Sequence, residues 1–295
     1  MSSAERAASI LPELEAEDFR VLQALELGMA SSQYVPLEGI IKYANLNPQE
    51  VEFRISGLNR RGLLYGQPQP YTGYILNYEG YDCLALNALV KADVLEALGR
   101  SLGVGKESDV YEALTPDEAR VAVKFHRLGR TSFRDTRRKR GYVADRRHIS
   151  WLYQSRLAAE REFEALRLVH PAGVSAPKPI YRNRHVLVMS YIEGYNLADI
   201  DSLDDPEGFL DDILQNIRCA LSAGVIHTDL SEFNIVVQPD GEVLLIDWPQ
   251  FVTKDHPNAE MLLKRDIRNV LRYFSRKFGV ERSLDEALVF VKKPL

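Results

Sequence analysis

The 295-residue chain has little cysteine: Cys83 and Cys219 stand alone and far apart. That excludes a disulfide framework and a paired-cysteine metal motif, and it fits a reducing cytoplasm. No apolar run approaches the length of a membrane span, and the opening MSSAERAASILPELEAEDFR is polar and acidic where a signal peptide needs an apolar core. The expectation is a cytoplasmic protein, neither exported nor embedded in a membrane. An excess of positive charge is missing too. Lys and Arg number 37 against 42 Asp and Glu, a net charge of −5, so the chain as a whole is not a general polyanion binder. Internal repeats and low-complexity tracts are absent. What is present, 45% apolar and 27% charged residues, is the composition of a globular protein long enough for two domains.

The first hundred residues read as helices and a hairpin. Phe19, Leu22, Leu25 and Leu27 predict an amphipathic helix over 15–29, and Pro36 starts a second. Asn47-Pro48 opens a third, with Val51, Ile55 and Leu58 in one stripe and Arg60-Arg61-Gly62 at its end. Strands at 63–65 and 74–76 flank the turn-rich GQPQPYTG and complete a winged helix; a helix over 79–89 then leads to a junction at 95–100. From Leu102 the pattern changes to strands, at 110–113 and 120–125, joined by the turn Thr115-Pro-Asp-Glu118. A basic segment follows, from Arg127 to Arg147, with nine Lys and Arg against Asp135 and Asp145. It has no apolar period and is expected to be a flexible loop. Helices over 149–168, 207–223, 259–278 and 283–290 and strands at 186–189, 235–237 and 243–246, with one through Ile180, account for the remainder.

The chemistry begins at GVGKESDVYEA. A Walker A loop would need glycine where Arg100 stands and a hydroxyl where Glu107 stands, so that reading fails twice. A protein-kinase glycine loop fits better, with Gly103, Gly105 and Ser108 between strands and Lys124 of Val121-Ala-Val-Lys124 downstream to hold phosphates; Ser108 in place of a third glycine is a departure. His227-Thr-Asp-Leu-Ser-Glu-Phe-Asn234 matches His-x-Asp-x-x-x-x-Asn, a spacing that lets Asp229 accept a hydroxyl proton while Asn234 turns an oxygen toward magnesium. Asp247, after the apolar run Leu244-Leu-Ile246, stands where the aspartate of Asp-Phe-Gly would and supplies a second hard oxygen. Glu162 and Glu160 both suit the helix glutamate that pairs with Lys124. Met189 would guard an adenine pocket, with backbone groups of Ser190 and Ile192 reaching the base.

Together these residues resemble the RIO family of atypical protein kinases. The catalytic loop 227–234, Ile246-Asp-Trp-Pro-Gln250 and Gly103-Val-Gly-Lys-Glu-Ser108 look like that family's catalytic, metal and phosphate loops. The winged helix, Trp151-Leu-Tyr-Gln-Ser-Arg156 and His256-Pro-Asn-Ala259 point to its type-2 branch, whose pattern favours Glu162. The resemblance implies an α+β, protein-kinase-like bilobal fold with an N-terminal winged helix. The expected divisions are a winged-helix domain with linker helix over 1–92, a kinase N-lobe with basic loop (127–148) and hinge over 93–192, and a reduced C-lobe over 193–295. It also implies an ATP- and Mg2+-dependent Ser/Thr kinase or ATPase, with Mn2+ as an alternative metal, acting in small-subunit maturation on rRNA and ribosomal proteins. With no further tail after Leu295 the chain looks archaeal.

Chemistry supports the expectation. Fewer than sixty residues follow Asp247, with no Ala-Pro-Glu segment to dock a peptide. At Ser231, where ordinary protein kinases carry lysine, there is no charge, and Lys106 is the expected substitute; Glu107 belongs to the same nucleotide-contacting turn. Aminoglycoside- and choline-type phosphotransferases share the loops and form one alternative, and a nucleotide-gated scaffold without turnover another. Duplex DNA is not the expected ligand: the third helix carries Glu50 and Glu52 beside Arg54, and residues 1–100 hold eight basic against thirteen acidic side chains. The basic segment, with Arg137-Arg-Lys-Arg140, is the better rRNA contact, and Thr131 and Ser132 within it are candidate autophosphorylation sites.

Overall fold

A computed structural model describes residues 1–69, 71–129 and 151–294 and divides into two compact units. The first comprises 1–157 with 181–187, the second 158–180 with 188–295.

The first unit opens with a helix absent from the sequence expectation, α1 (Ser3–Ile10). Its signal is a capping box: Ser2 Oγ accepts from Glu5 N while Glu5 reaches back to Ser2 N. α2 (Ala16–Gly28), α3 (Leu37–Ala44) and α4 (Pro48–Arg60) follow as the apolar spacing requires. Asn47 caps α4 by accepting from Glu50 N, and the stripe Val51, Ile55 and Leu58 is buried. β2 (Leu64–Gln67) and β3 (Gly73–Leu76) form the wing hairpin, and β1 (Val35–Pro36), too short to leave a pattern, pairs with β3. α5 (Tyr78–Lys91) is buried along most of its length, from Gly80 through Leu86, so it is a core helix of the unit. Gly80 is required: a Cβ there would lie 2.2 Å from the Leu63 carbonyl oxygen.

The same unit continues into antiparallel strands. β4 (Ala97–Val104) pairs with β5 (Ser108–Leu114), which pairs in full register with β6 (Arg120–His126). Two further strands, β7 (Pro179–Asn183) and β8 (Val186–Ser190), are each divided between the two units, after residues 180 and 187. β4 occupies the stretch expected to be a junction. It is an exposed edge strand with register shifts between Leu98 and Gly103, so it carries no inside-outside alternation to read. Arg127 corrects the reading of the basic segment. Counted there as a polyanion contact, it is buried at 1% exposure against Asp82 and Asp109. Thr131, Ser132 and the cluster at 137–140 lie outside the described residues.

The second unit takes in most of α6 (Trp151–Val169), then β9 (Tyr195–Asn196), α7 (Pro206–Ser222), β10 (Val225–Ile226), β11 (Ile235–Val237), β12 (Val243–Leu245), β13 (Val252–Thr253), α8 (Ala259–Phe278) and α9 (Leu284–Lys292). β11 pairs with β12 and β10 with β13, both antiparallel. These two pairings lay the β10–β11 loop beside the β12–β13 loop. Buried faces of α7 (Leu210, Ile213, Leu214) and α8 (Leu263, Ile267, Val270, Phe274) supply the unit's core. Cys83 and Cys219 are both buried free thiols, and burial pushes Cys83 up to about 12.

Candidate active site

In the first unit Gly103 faces Val110 at the end of the β4–β5 ladder, and the turn closes through Gly105 N donating to Ser108 O at 2.8 Å. A Cβ at Gly105 would meet that oxygen at 3.2 Å, so the turn itself is tight. At Gly103 an added Cβ meets nothing within 4 Å. Packing among the described residues therefore makes no demand for glycine there, whereas close approach of a phosphate group would. Lys106 and Glu107 are exposed on the turn and Ser108 is half-buried. Lys124 sits opposite Val110 on β6 and is buried, at 4% exposure.

In the second unit the β10–β11 loop carries the catalytic motif. His227 is buried and joins the two loops: its Nε2 lies 2.9 Å from Ile246 O, its Nδ1 accepts from Asp229 N at 3.3 Å, and its ring leans on Trp248 with centroids 4.4 Å apart. Ile246 N in turn donates to Asn234 O. Thr228 and Leu230 are buried on either side of an exposed Asp229, so the loop is anchored by its flanks and presents the carboxylate outward. Asn234 Nδ2 donates to Asp229 O at 2.8 Å. That commits the amide nitrogen and leaves Oδ1 as the atom Asn234 offers to a cation. Thr228 and Asp247 both adopt φ of 68°, the left-handed region. Non-glycine residues held there mark a backbone shaped by its surroundings, as at many functional sites.

Three α8 residues that the sequence reading did not single out brace this loop. Asp266 accepts from Thr228 N at 2.7 Å and from Leu230 N at 3.4 Å, Asn269 Nδ2 donates to Leu230 O at 3.2 Å, and the Arg265 guanidinium donates to Thr228 O. Asp266 is surrounded by Ile217, Ala220, Leu245 and Leu263, and this desolvation pushes its carboxyl up to about 7 despite the two amides that favour the charge. The one available signal was an aspartate on the apolar face of an amphipathic helix.

Also in the second unit, Glu162 is buried and Glu160 exposed, which separates the two candidates that composition left together. Met189 is buried at the end of β8. Ser190 N donates to Lys178 O and Ser190 Oγ accepts from Lys178 N, so the amide of Ser190 is committed within the unit; Ile192 is half-buried. Among the described residues no group of three or more His, Cys, Asp and Glu could hold a metal. The candidate oxygen ligands are the Asn234 amide oxygen and the carboxylate of Asp247, which is half-buried on the partner loop. One or two protein oxygens, completed by phosphates and water, is how magnesium is held beside a nucleotide, so these residues fit a magnesium nucleotide and not a metal caged by protein alone.

The "RIO domain" family model matches residues 109–287, and the "Rio2, N-terminal" model matches 11–92. The RIO-type serine/threonine-protein kinase Rio2 of Methanocaldococcus jannaschii is 44% identical over 259 residues, 86% of this chain and 94% of that one. The Dictyostelium discoideum serine/threonine-protein kinase rio2 is 41% identical across 90% of this chain but only 51% of its own length. Among solved structures, the Rio2 kinase-ADP/Mg2+-phosphoaspartate complex from Chaetomium thermophilum aligns with a TM-score of 0.83 and 34% identity, covering 97% of this chain and 89% of that one.

Proposed function

The chain belongs to the RIO family of serine/threonine-protein kinases, in its Rio2 branch, and from that premise we propose that it is an ATP- and Mg2+-dependent phosphotransferase acting in maturation of the small ribosomal subunit. The observation that carries the chemistry is the pair of stitched loops: Asp229, Asn234 and Asp247 stand on two segments tied together through His227 and Ile246. Bound magnesium and nucleotide would supply the phosphoryl group and neutralise its charge. Asn234 and Asp247 would hold the cation. Asp229 takes the proton of an attacking hydroxyl, or orients water if hydrolysis is the physiological outcome. Gly103, Gly105 and Ser108 shape the phosphate turn and Lys124 contacts the phosphates; Glu162 is the helix glutamate of the kinase pattern, and Met189, Ser190 and Ile192 receive the base.

Kinase and ATPase chemistry need the same residues. The phosphoaspartate in the C. thermophilum relative supports a second hydrolytic route, in which an aspartate carboxylate attacks the γ-phosphorus as ADP leaves and water then cleaves the acyl phosphate, releasing phosphate and restoring the carboxylate. The small-subunit assignment rests on the family resemblance, with rRNA and ribosomal proteins as partners and the basic segment beyond Arg127 as the rRNA contact. Family membership removes the small-molecule phosphotransferase alternative; the scaffold without turnover is an outcome of the experiment.

That experiment is Mg2+-dependent turnover of γ-labelled ATP, with and without small-subunit precursors, in wild type and Asp229→Ala. Label on serine or threonine, stable to hydroxylamine and lost in Asp229→Ala, shows a kinase; free phosphate with a hydroxylamine-labile protein intermediate shows an ATPase. ATP bound but never turned over leaves a nucleotide-gated scaffold. Lys106→Ala should lower the turnover number at saturating ATP; an unchanged rate would remove Lys106 from the phosphoryl-transfer machinery.

A further inference from the structure

Arg127 is the hub of a buried polar cluster inside the first unit. Its guanidinium forms a two-pronged pair with Asp82 of α5, Nη1 to Oδ1 at 2.6 Å and Nη2 to Oδ2 at 2.8 Å, while Nε donates to Asp109 at 3.2 Å. All three side chains are at most 1% exposed. Asp82 is completed by Ser3 Oγ of α1 at 2.5 Å and by His185 Nε2 at 2.7 Å. The backbone of the same arginine donates from N to Glu107 O at 2.6 Å, the last residue of the glycine turn before Ser108, and Asp109 follows Ser108 directly. One residue therefore grips the exit of the phosphate turn by its main chain and by the Nε of its side chain. Its other two arms are held by a helix of the winged-helix segment. Tyr78, on the same helix, donates to Leu128 O at 2.6 Å and lies 2.7 Å from Ser155 Oγ, so α5 also fixes the chain on the far side of Arg127.

A bidentate arginine–carboxylate fork fixes direction as well as distance, and with three buried charges at its centre it has few alternative arrangements. We propose that Arg127 is a positioning residue through which Asp82 of the winged-helix segment sets the phosphate turn, making that segment a structural part of the nucleotide site. The inference rests on the kinase reading of the turn. It gives the cluster a task beyond holding the unit together, since simpler apolar packing would hold α5 to the strands without reaching Glu107.

The experiment compares full-length variants by Mg-ATP affinity, KM for ATP and thermal midpoint. Asp82→Asn keeps the shape of the side chain but loses the charge that fixes the fork, and Arg127→Lys keeps the charge but loses the fork. Asn77→Ala is the control: it removes the α5 cap at Gly80 N and the bond to Gly62 O in the same segment, without touching the cluster. Expected is a tenfold or larger loss of ATP affinity in Asp82→Asn and Arg127→Lys, with KM rising more than the turnover number falls. Asn77→Ala should lower the midpoint while ATP affinity stays within twofold of wild type. Should Asp82→Asn not fold, Ser3→Ala, which loosens Asp82 from its outer side, carries the comparison with a smaller shift in the same direction. ATP affinity that merely follows the midpoint across all variants, or that is unchanged in folded Asp82→Asn, overturns the proposal. Wild type that binds no ATP instead defeats the kinase reading itself.

Discussion

Asp247 performs two tasks that substitution can separate. It offers a carboxylate and it occupies a left-handed backbone position, φ 68°. Asn tolerates that conformation and Ala does not, at a cost of roughly 1–2 kcal/mol. Asp247→Asn should abolish Mg2+-dependent turnover with an unchanged unfolding midpoint, whereas Asp247→Ala should lose activity and about 1 kcal/mol of stability in urea titrations. Equal stability of the two would mean the backbone is relaxed there. Asp266 makes the complementary case, a residue two positions removed from the chemistry in its role. In Asp266→Asn one of the two amides it receives would face an NH2 group. The turnover number should fall tenfold or more with little change in KM for ATP, because the loop's direction changes and the nucleotide contacts do not. Asp229, Asn234 and Asp247 were legible in the sequence because their spacing is itself the motif. Asp266 was not, since its role is defined by which backbone amides it meets 36 and 38 residues away.

Two buried elements should respond to pH in opposite directions. On α5, Asp82 is held below the usual carboxylate range, against its burial, by Arg127 and His185, and burial lowers His185 to about 4 from 6.5. A depressed histidine contributes stability that is present above the unfolded value and lost as pH falls. The first unit should therefore weaken between about pH 6.5 and 4, by up to about 3 kcal/mol. His185→Gln, which still donates to Asp82 but does not titrate, should flatten that slope in urea midpoints; an unaltered slope would remove His185 as its cause. On α8, Asp266 is raised to about 7, so its contribution is present below about pH 4 and lost as pH rises to 7. α5 was readable as a helix, but its even distribution of buried residues gave no warning that its polar Asp82 lies inside. β1 and β4 were missed for opposite reasons, one being two residues long and the other exposed almost throughout.

For the molecule as a whole, charge is unevenly placed. An acidic chain of net −5 concentrates positive charge in one stretch of its sequence, so the proposed rRNA contact should be local and salt-sensitive. Neutralising Arg137, Arg138, Lys139 and Arg140 to Ala should weaken binding to small-subunit rRNA and reduce the slope of log affinity against log salt by up to about 3. An unchanged slope would place the contact elsewhere. Arg127 is not part of the proposed contact, because two carboxylates take it inside. The sequence by itself determined the winged-helix start, the kinase-like class and the longer helices and strands, because each is encoded by local spacing or local propensity, and the same local spacing marked the turn, lysine and loop residues as the candidates. Only the tertiary structure decided which of Glu160 and Glu162 is buried, that α8 braces the catalytic loop, and that Arg127 ties a winged-helix aspartate to the phosphate turn. Those facts depend on side chains tens of residues apart meeting where water is excluded, and a linear pattern carries no record of which partner a buried charge will find.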